Sequence, residues 1–192
     1  LSLTKVWRDL YETDEAGNPT FKTDINKNDI KAQKVIVPVW RTYTACDSTG
    51  YDINPFEIVF EKGSHTISLE ASREVLVIKS ITLYPYEDLP TYEEIEAGYQ
   101  QKNYQPATGA DPIVLQAEMP VYTSDRTIYP NNDRTSAITI PQSPSISKLN
   151  SLGSTKWQTV GQWVEYTFTC EKTGLYDIIS RRIFPVCILR AA

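Results

Sequence analysis

Short runs of alternating apolar and polar residues, bounded by turn formers, recur along the chain with the period of strands that bury one face. Phe56, Ile58 and Phe60 alternate with Glu57 and Val59; Glu61-Lys62-Gly63-Ser64 supplies a turn; Ile67, Leu69 and Ala71 then alternate with Thr66, Ser68 and Glu70. This pattern predicts a hairpin. Residues 75–84 are rich in β-branched types, but their apolar parity switches between Ile78 and Ile81, which predicts a bulge near Lys79-Ser80 or burial on both faces. Val164, Tyr166, Phe168 and Cys170 form one face of a further strand, with Trp163, Glu165, Thr167 and Thr169 on the other. After the turn Glu171-Lys172-Thr173-Gly174, residues 175–180 are expected to return as its partner. Residues 35–40 also read as a strand, and Pro38, which cannot donate to a ladder, places it at a sheet edge or a bulge.

One segment has a different period. Thr91 is followed three residues later by Glu94, the spacing of a capping box, and Tyr92, Ile95 and Tyr99 recur at i, i+3 and i+7, which predicts a short amphipathic helix within residues 90–105. Gly98 weakens it, and Pro106, Gly109 and Pro112 mark a loop beyond it. Residues 89–112 thus connect two β-rich regions.

Composition narrows the chemistry. The 192 residues are 41% hydrophobic and 22% charged, which is the balance of a folded globular chain and not of a disordered one. A net charge of -5 opposes nucleic-acid binding, and no apolar run approaches the about 18 residues of a membrane span. With His65 the sole histidine, no multi-histidine metal centre can form, and the GxSxG of a strained nucleophile turn is missing. Cys46, Cys170 and Cys187 are widely spaced and contain no CxxC, which excludes a zinc ribbon or a dithiol redox motif. Glu93, Glu94 and Glu96 are placed as helix acids that complement the macrodipole, and Asp14-Glu15 ahead of Gly17-Asn18-Pro19 as a turn. Neither group has a pattern that marks a hydrolytic cleft. Asp24, Asn26 and Asn28 match the first ligands of a calcium loop, but Asp29 stands at the glycine position and Val35 at the bidentate glutamate, so an Asx-rich turn is the expectation.

Over residues 113–182 the succession Gln116-Ala117-Glu118, Asp133-Arg134-Thr135-Ser136, Lys148-Leu149-Asn150-Ser151-Leu152-Gly153, Gly161-Gln162-Trp163 and Gly174-Leu175-Tyr176-Asp177-Ile178 resembles the first half of a galactose-binding-like β-sandwich. It is similar to carbohydrate-binding module families 6 and 35, as found in extracellular sugar ABC-transporter solute-binding proteins of Gram-positive bacteria. Residues 1–88 resemble the second half of such a module, through Val6-Trp7-Arg8-Asp9, Asn28-Asp29-Ile30, Val39-Trp40, Asp47-Ser48-Thr49-Gly50-Tyr51, Pro55-Phe56 and Gly63-Ser64-His65-Thr66-Ile67. The resemblance implies an all-β, jelly-roll sandwich with one connecting helix, in which the halves close on each other as a circularly permuted domain or swap with a second chain to give a homodimer. Residues 183–192 lack the polar pattern of the strand that would follow and are set apart as a tail.

The same resemblance implies non-catalytic binding of an oligo- or polysaccharide outside the cell or at its surface, with membrane association only through a parent protein. A spacer or protein-contact module is the alternative. Sugar sites combine an aromatic face that stacks on a pyranose with fixed groups that bond its hydroxyls. With four tryptophans and 12 tyrosines in the chain, Tyr129, Asp133, Arg134 and Trp157, together with Trp40 and Tyr51, are the expected binding set. Arg41, Asp47 and Asn54 lie near the last two, and Trp163 falls on the polar face of its strand. Related modules hold a structural calcium through the residue corresponding to Glu118 and a late aspartate. Here Lys79 and Ser80 occupy the late strand, so calcium is expected to bind weakly or not at all and no cofactor is expected.

Overall fold

The computed structural model describes residues 5–47, 52, 54–70, 77–88, 90–136 and 138–180, which fall into two compact units. The first unit takes its residues from Leu1–Tyr86 and Val114–Phe168, the second from Glu87–Ile113 and Thr169–Ala192.

In the first unit, β1 (Val6–Leu10) and β4 (Gln33–Val37) run antiparallel in full register, from Val6 opposite Val37 to Leu10 opposite Gln33. Between them, β2 (Glu12–Thr13) and β3 (Pro19–Thr20) form a small hairpin. Its turn is the one expected at Asp14, whose Oδ1 accepts the backbone N–H groups of Ala16 and Asn18 while Gly17 takes φ +87°. On its other edge β1 meets β5 (Tyr122–Thr123), which pairs in turn with β8 (Val164–Glu165), giving the antiparallel order β4-β1-β5-β8. One sheet therefore takes two strands from residues 1–88 and two from residues 113–182. A separate short ladder joins β6 (Pro130–Asn131) to β7 (Ser151–Leu152). As Pro38 requires, the 33–37 strand is an edge and ends just before the proline.

Polar contacts close this unit as much as apolar ones. Among the described residues the buried hydrophobic side chains are Val6, Phe21, Ile128 and Leu149, with Tyr11 meeting the Phe21 ring edge-on at 5.7 Å. Directly opposite each other on β1 and β4 are Asp9 and Lys34, both buried. The Lys34 ammonium donates to Asp9 Oδ2 at 2.6 Å and across to Thr123 Oγ1 of β5 at 3.2 Å. Burial pushes the Asp9 carboxyl above its ordinary value, and Lys34 only partly offsets this. Asp24 caps its own turn by accepting from the N–H groups of Asn26 and Asn28, the Asx turn expected there. That turn docks on residues 147–149: Asn28 Oδ1 accepts from the Ser147 N–H, and the Asp29 carboxylate accepts from the Leu149 N–H and the Lys148 ammonium.

In the second unit, α1 (Tyr92–Gln101) carries the expected capping box. Thr91 Oγ1 accepts from the Glu94 N–H, and the Glu94 carboxylate accepts from the Thr91 N–H at 2.8 Å. Beyond the helix, Pro106 bridges Leu175 in parallel, and the chains approach so closely that a Cβ on Gly174 would lie 2.8 Å from the Gln105 carbonyl oxygen.

Among the described residues two expected hairpins are absent, which corrects the expectation from alternation. Residues 56–60 and 66–70 form no ladder with each other, and 77–84 form no strand; Phe56, Ile58, Ile67, Leu69 and Leu83 are exposed instead. The rest of that expectation, residues 71–76, lies outside the described residues. Alternation marks a face to be covered, but a two-stranded ribbon with nothing packed on that face is marginal in water. Likewise 164–165 pair with 122–123 rather than with 175–180, because the local turn competes with a sheet that already offers an edge. Among the described residues no helix is long and apolar enough to cross a membrane.

The Lys34 contacts give the first testable outcome. Truncating one member, as in Lys34→Ala, leaves a buried carboxylate uncompensated and is expected to cost roughly 3–5 kcal/mol in urea unfolding, whereas Asp9→Leu with Lys34→Met should recover most of that loss. Equal losses in the single and double variants would show that the pair itself, not its imbalance, holds the sheet.

Candidate functional site

Four of the six expected binding residues lie around the β6–β7 ladder, but at its two ends. At one end lie Tyr129, just before β6, and Trp157, just after the single 3-10 turn Ser154–Lys156. Gly153 joins them: its N–H donates to the Tyr129 carbonyl at 3.5 Å and its carbonyl accepts from Asn131 Nδ2 at 3.1 Å. Its φ of +102° suits glycine, and a Cβ there would sit 3.3 Å from both Cβ and Cε3 of Trp157. Trp157 is half-buried against this glycine, and its indole N–H donates to the Gln162 carbonyl at 3.2 Å. Gln162 Oε1 then accepts from the N–H groups of Gln158 and Thr159, so the loop is pinned by one side chain. The Tyr129 ring is engaged by two ammonium groups, those of Lys31 and Lys34, each 5.4 Å from its centroid.

At the other end stand Asp133 and Arg134. Asp133 accepts from the N–H and hydroxyl of Thr135 and from the Thr139 hydroxyl, and the Thr135 backbone bond leads in holding its carboxyl below the usual carboxylate range. Asn150 fixes the backbone there, accepting from the Asp133 N–H and donating to the Asp133 and Pro141 carbonyls. The exposed Arg134 donates to the Ile146 carbonyl at 3.1 Å and lines a cavity of about 320 Å³ with Gln142, Ser143 and Pro144.

A second aromatic cluster forms at the β5–β8 edge. Trp40 is 63% exposed just past β4. Its neighbour Arg41 places its guanidinium 4.0 Å over the Trp163 ring and 5.9 Å from the Tyr122 ring, and pairs with the Glu165 carboxylate. Arg41 Nε and the Tyr43 hydroxyl are buried and meet no hydrogen-bond partner among the described residues. Arg41 and Trp163 stand out separately in the sequence; their stacking had no sequence signal, since it joins positions 122 apart across the sheet. Tyr51 lies outside the described residues.

Glu118 is 3% exposed. Burial pushes its carboxyl up, with the nearby Asp29 adding to the effect. The Asp29 carboxylate is already taken by Lys148 and Leu149, and among the described residues no group of three or more His, Cys, Asp or Glu comes together, whereas calcium takes 6–8 oxygens. His65 turns its Nε2 to the Glu61 carbonyl at 2.7 Å and its ring edge to Phe60, and Glu94 is committed to the helix cap.

No family model, curated protein or solved structure matches the chain.

Glu118 supplies a pH test. Its folded-state value lies above the unfolded one, so its protonated form favours folding, and that contribution is lost as pH rises through the folded-state value. Glu118→Gln is therefore expected to raise Tm near pH 7, with the gain shrinking towards the ordinary carboxylate value of about 4.3. A variant less stable than the parent at both ends would show that the carboxylate is held by a partner, such as a cation.

Proposed function

We propose that the chain is a non-catalytic carbohydrate-binding module that acts outside the cell or at its surface, built as a galactose-binding-like sandwich whose two sequence halves share one domain. What supports the fold is the antiparallel sheet β4-β1-β5-β8, which draws strands from both halves. The observation that carries the function is the aromatic cluster at the β5–β8 edge. Trp40 presents an exposed indole, and Arg41, next to it in the chain, stacks its guanidinium on Trp163 and pairs with Glu165. An indole face stacks on the C–H face of a pyranose. Trp157 and Arg134 offer a further platform and a further donor on the same unit. The module holds its ligand and has no bond to make or break.

A second reading, a spacer or protein-contact module, is favoured by the apolar side chains exposed along residues 56–84.

A polysaccharide and glycan binding screen on the purified chain separates the two. Binding of at least one glycan is expected, with Trp40→Ala weakening it by about tenfold or more, equivalent to about 1.4 kcal/mol, and leaving Tm unchanged. Folded protein that binds nothing across the panel, or a Trp40→Ala variant with undiminished affinity, would overturn this reading of the cluster.

A further inference from the structure

The segment that follows β4 crosses the sheet. Val37 ends β4 at one edge of the order β4-β1-β5-β8, and Arg41, four residues later, reaches the other edge with its side chain. There its guanidinium lies 4.0 Å over the Trp163 ring and 5.9 Å from the Tyr122 ring of β5, and pairs with the Glu165 carboxylate of β8. Neighbouring strands are about 4.8 Å apart, so the crossing covers roughly 14 Å, and four extended residues span at most roughly 13–14 Å. The backbone has little slack, and the Arg41 side chain completes the reach. Among the described residues, 38–44 join no ladder, and their backbone bonding is that of the Val39 N–H to the Val37 carbonyl, until Ala45 accepts from the Phe56 N–H.

We infer that residues 38–45 form a strap latched by the Arg41 side chain, which opens locally while the sheet beneath stays folded. A backbone with few hydrogen bonds of its own opens at low cost. Its closure is therefore set by the contacts at its far end, a cation over an indole and an ion pair. The pair is partly open to solvent, the Arg41 side chain 23% and that of Glu165 39% exposed, so salt screens it. Opening takes the guanidinium off Trp163 and carries Trp40 along. The indole that the carbohydrate reading takes as its platform thus rides on a movable segment, and the latch itself does not depend on that reading.

Trypsin reads the latch directly, because cleavage after Arg41 requires the guanidinium to leave Trp163 and Glu165 and enter the protease. Where opening and closing are fast, such cleavage tracks the open population. In the intact chain the Arg41–Thr42 bond is expected to be cut more slowly than the same bond in a peptide of residues 38–45, yet faster than the Lys34–Val35 bond inside β4. Glu165→Gln should speed the cut at Arg41 roughly twofold to fivefold, the weight of a partly exposed ion pair, with cleavage at Lys34 and Tm unchanged. Raising NaCl from about 0.05 M to about 1 M should speed it similarly in the parent, relative to the peptide, and leave the variant nearly unaffected. A parent cut at the rate of the peptide would show that no latch exists. Cleavage at Arg41 and Lys34 at one common rate would show global unfolding in place of a strap. Equal rates at Arg41 in the parent and Glu165→Gln, or one salt response shared by both, would also overturn the proposal.

Discussion

The ammonium of Lys34 is the point where three strands of the first unit meet. It lies opposite Asp9 on the neighbouring strand, bonds that carboxylate at 2.6 Å, reaches Thr123 on the strand beyond at 3.2 Å and sits against the Tyr129 ring. Asp9 and Lys34 come from the first part of the chain, Thr123 and Tyr129 from the last. A sheet joined by van der Waals contact alone would tolerate a slide of one strand against the next. Here a slide by two residues takes the buried carboxylate out of reach of its buried cation. The pair thus contributes little net stability and much register, and the sheet order depends on that register. Burial holds the Asp9 carboxyl above its ordinary value even with Lys34 beside it, so the pair stands at a cost that the rest of the fold offsets.

What could be read from the residues divides along the range of the interactions. The capping box at Thr91 and Glu94 and the Asx turns at Asp14 and Asp24 are satisfied within a few residues, so the local sequence contains all the partners. Pro38 announced an edge because its missing donor is a property of one residue. Ladders are different, because alternation records that a face will be covered and is silent on what covers it. Residues 56–60 and 164–170 carry the same pattern, yet only 164–165 enter a ladder, since β5 offers an edge there. β1 drew no prediction as a strand because Asp9 stands where an apolar residue would continue the alternation, and the cation that makes it tolerable is 25 residues away.

The candidate site divides in the same way. Tyr129, Asp133, Arg134 and Trp157 are near one another in the sequence order of the resemblance, but a ladder of two residue pairs holds Tyr129 and Trp157 at one end and Asp133 and Arg134 at the other. Tyr129, with an aromatic face that looked suited to a sugar, is instead in contact with two ammonium groups. Trp40 lacks such a commitment. Arg41 anchors the backbone beside it by stacking on Trp163 and pairing with Glu165.

That anchoring and the exposure along residues 56–84 follow from one economy of apolar residues. Few hydrophobic side chains are buried among the described residues, and the unit is closed by ion pairs and by turns that bond across more than 100 positions, at Asp29 with Lys148 and Arg41 with Glu165. Each such contact fixes geometry strongly while removing little apolar area from water. Apolar residues that the polar closure does not need are therefore left at the surface, where burial against another surface yields about 25 cal/mol for every Å² covered. A fold closed in this way fixes its strands through polar contacts and leaves apolar side chains exposed.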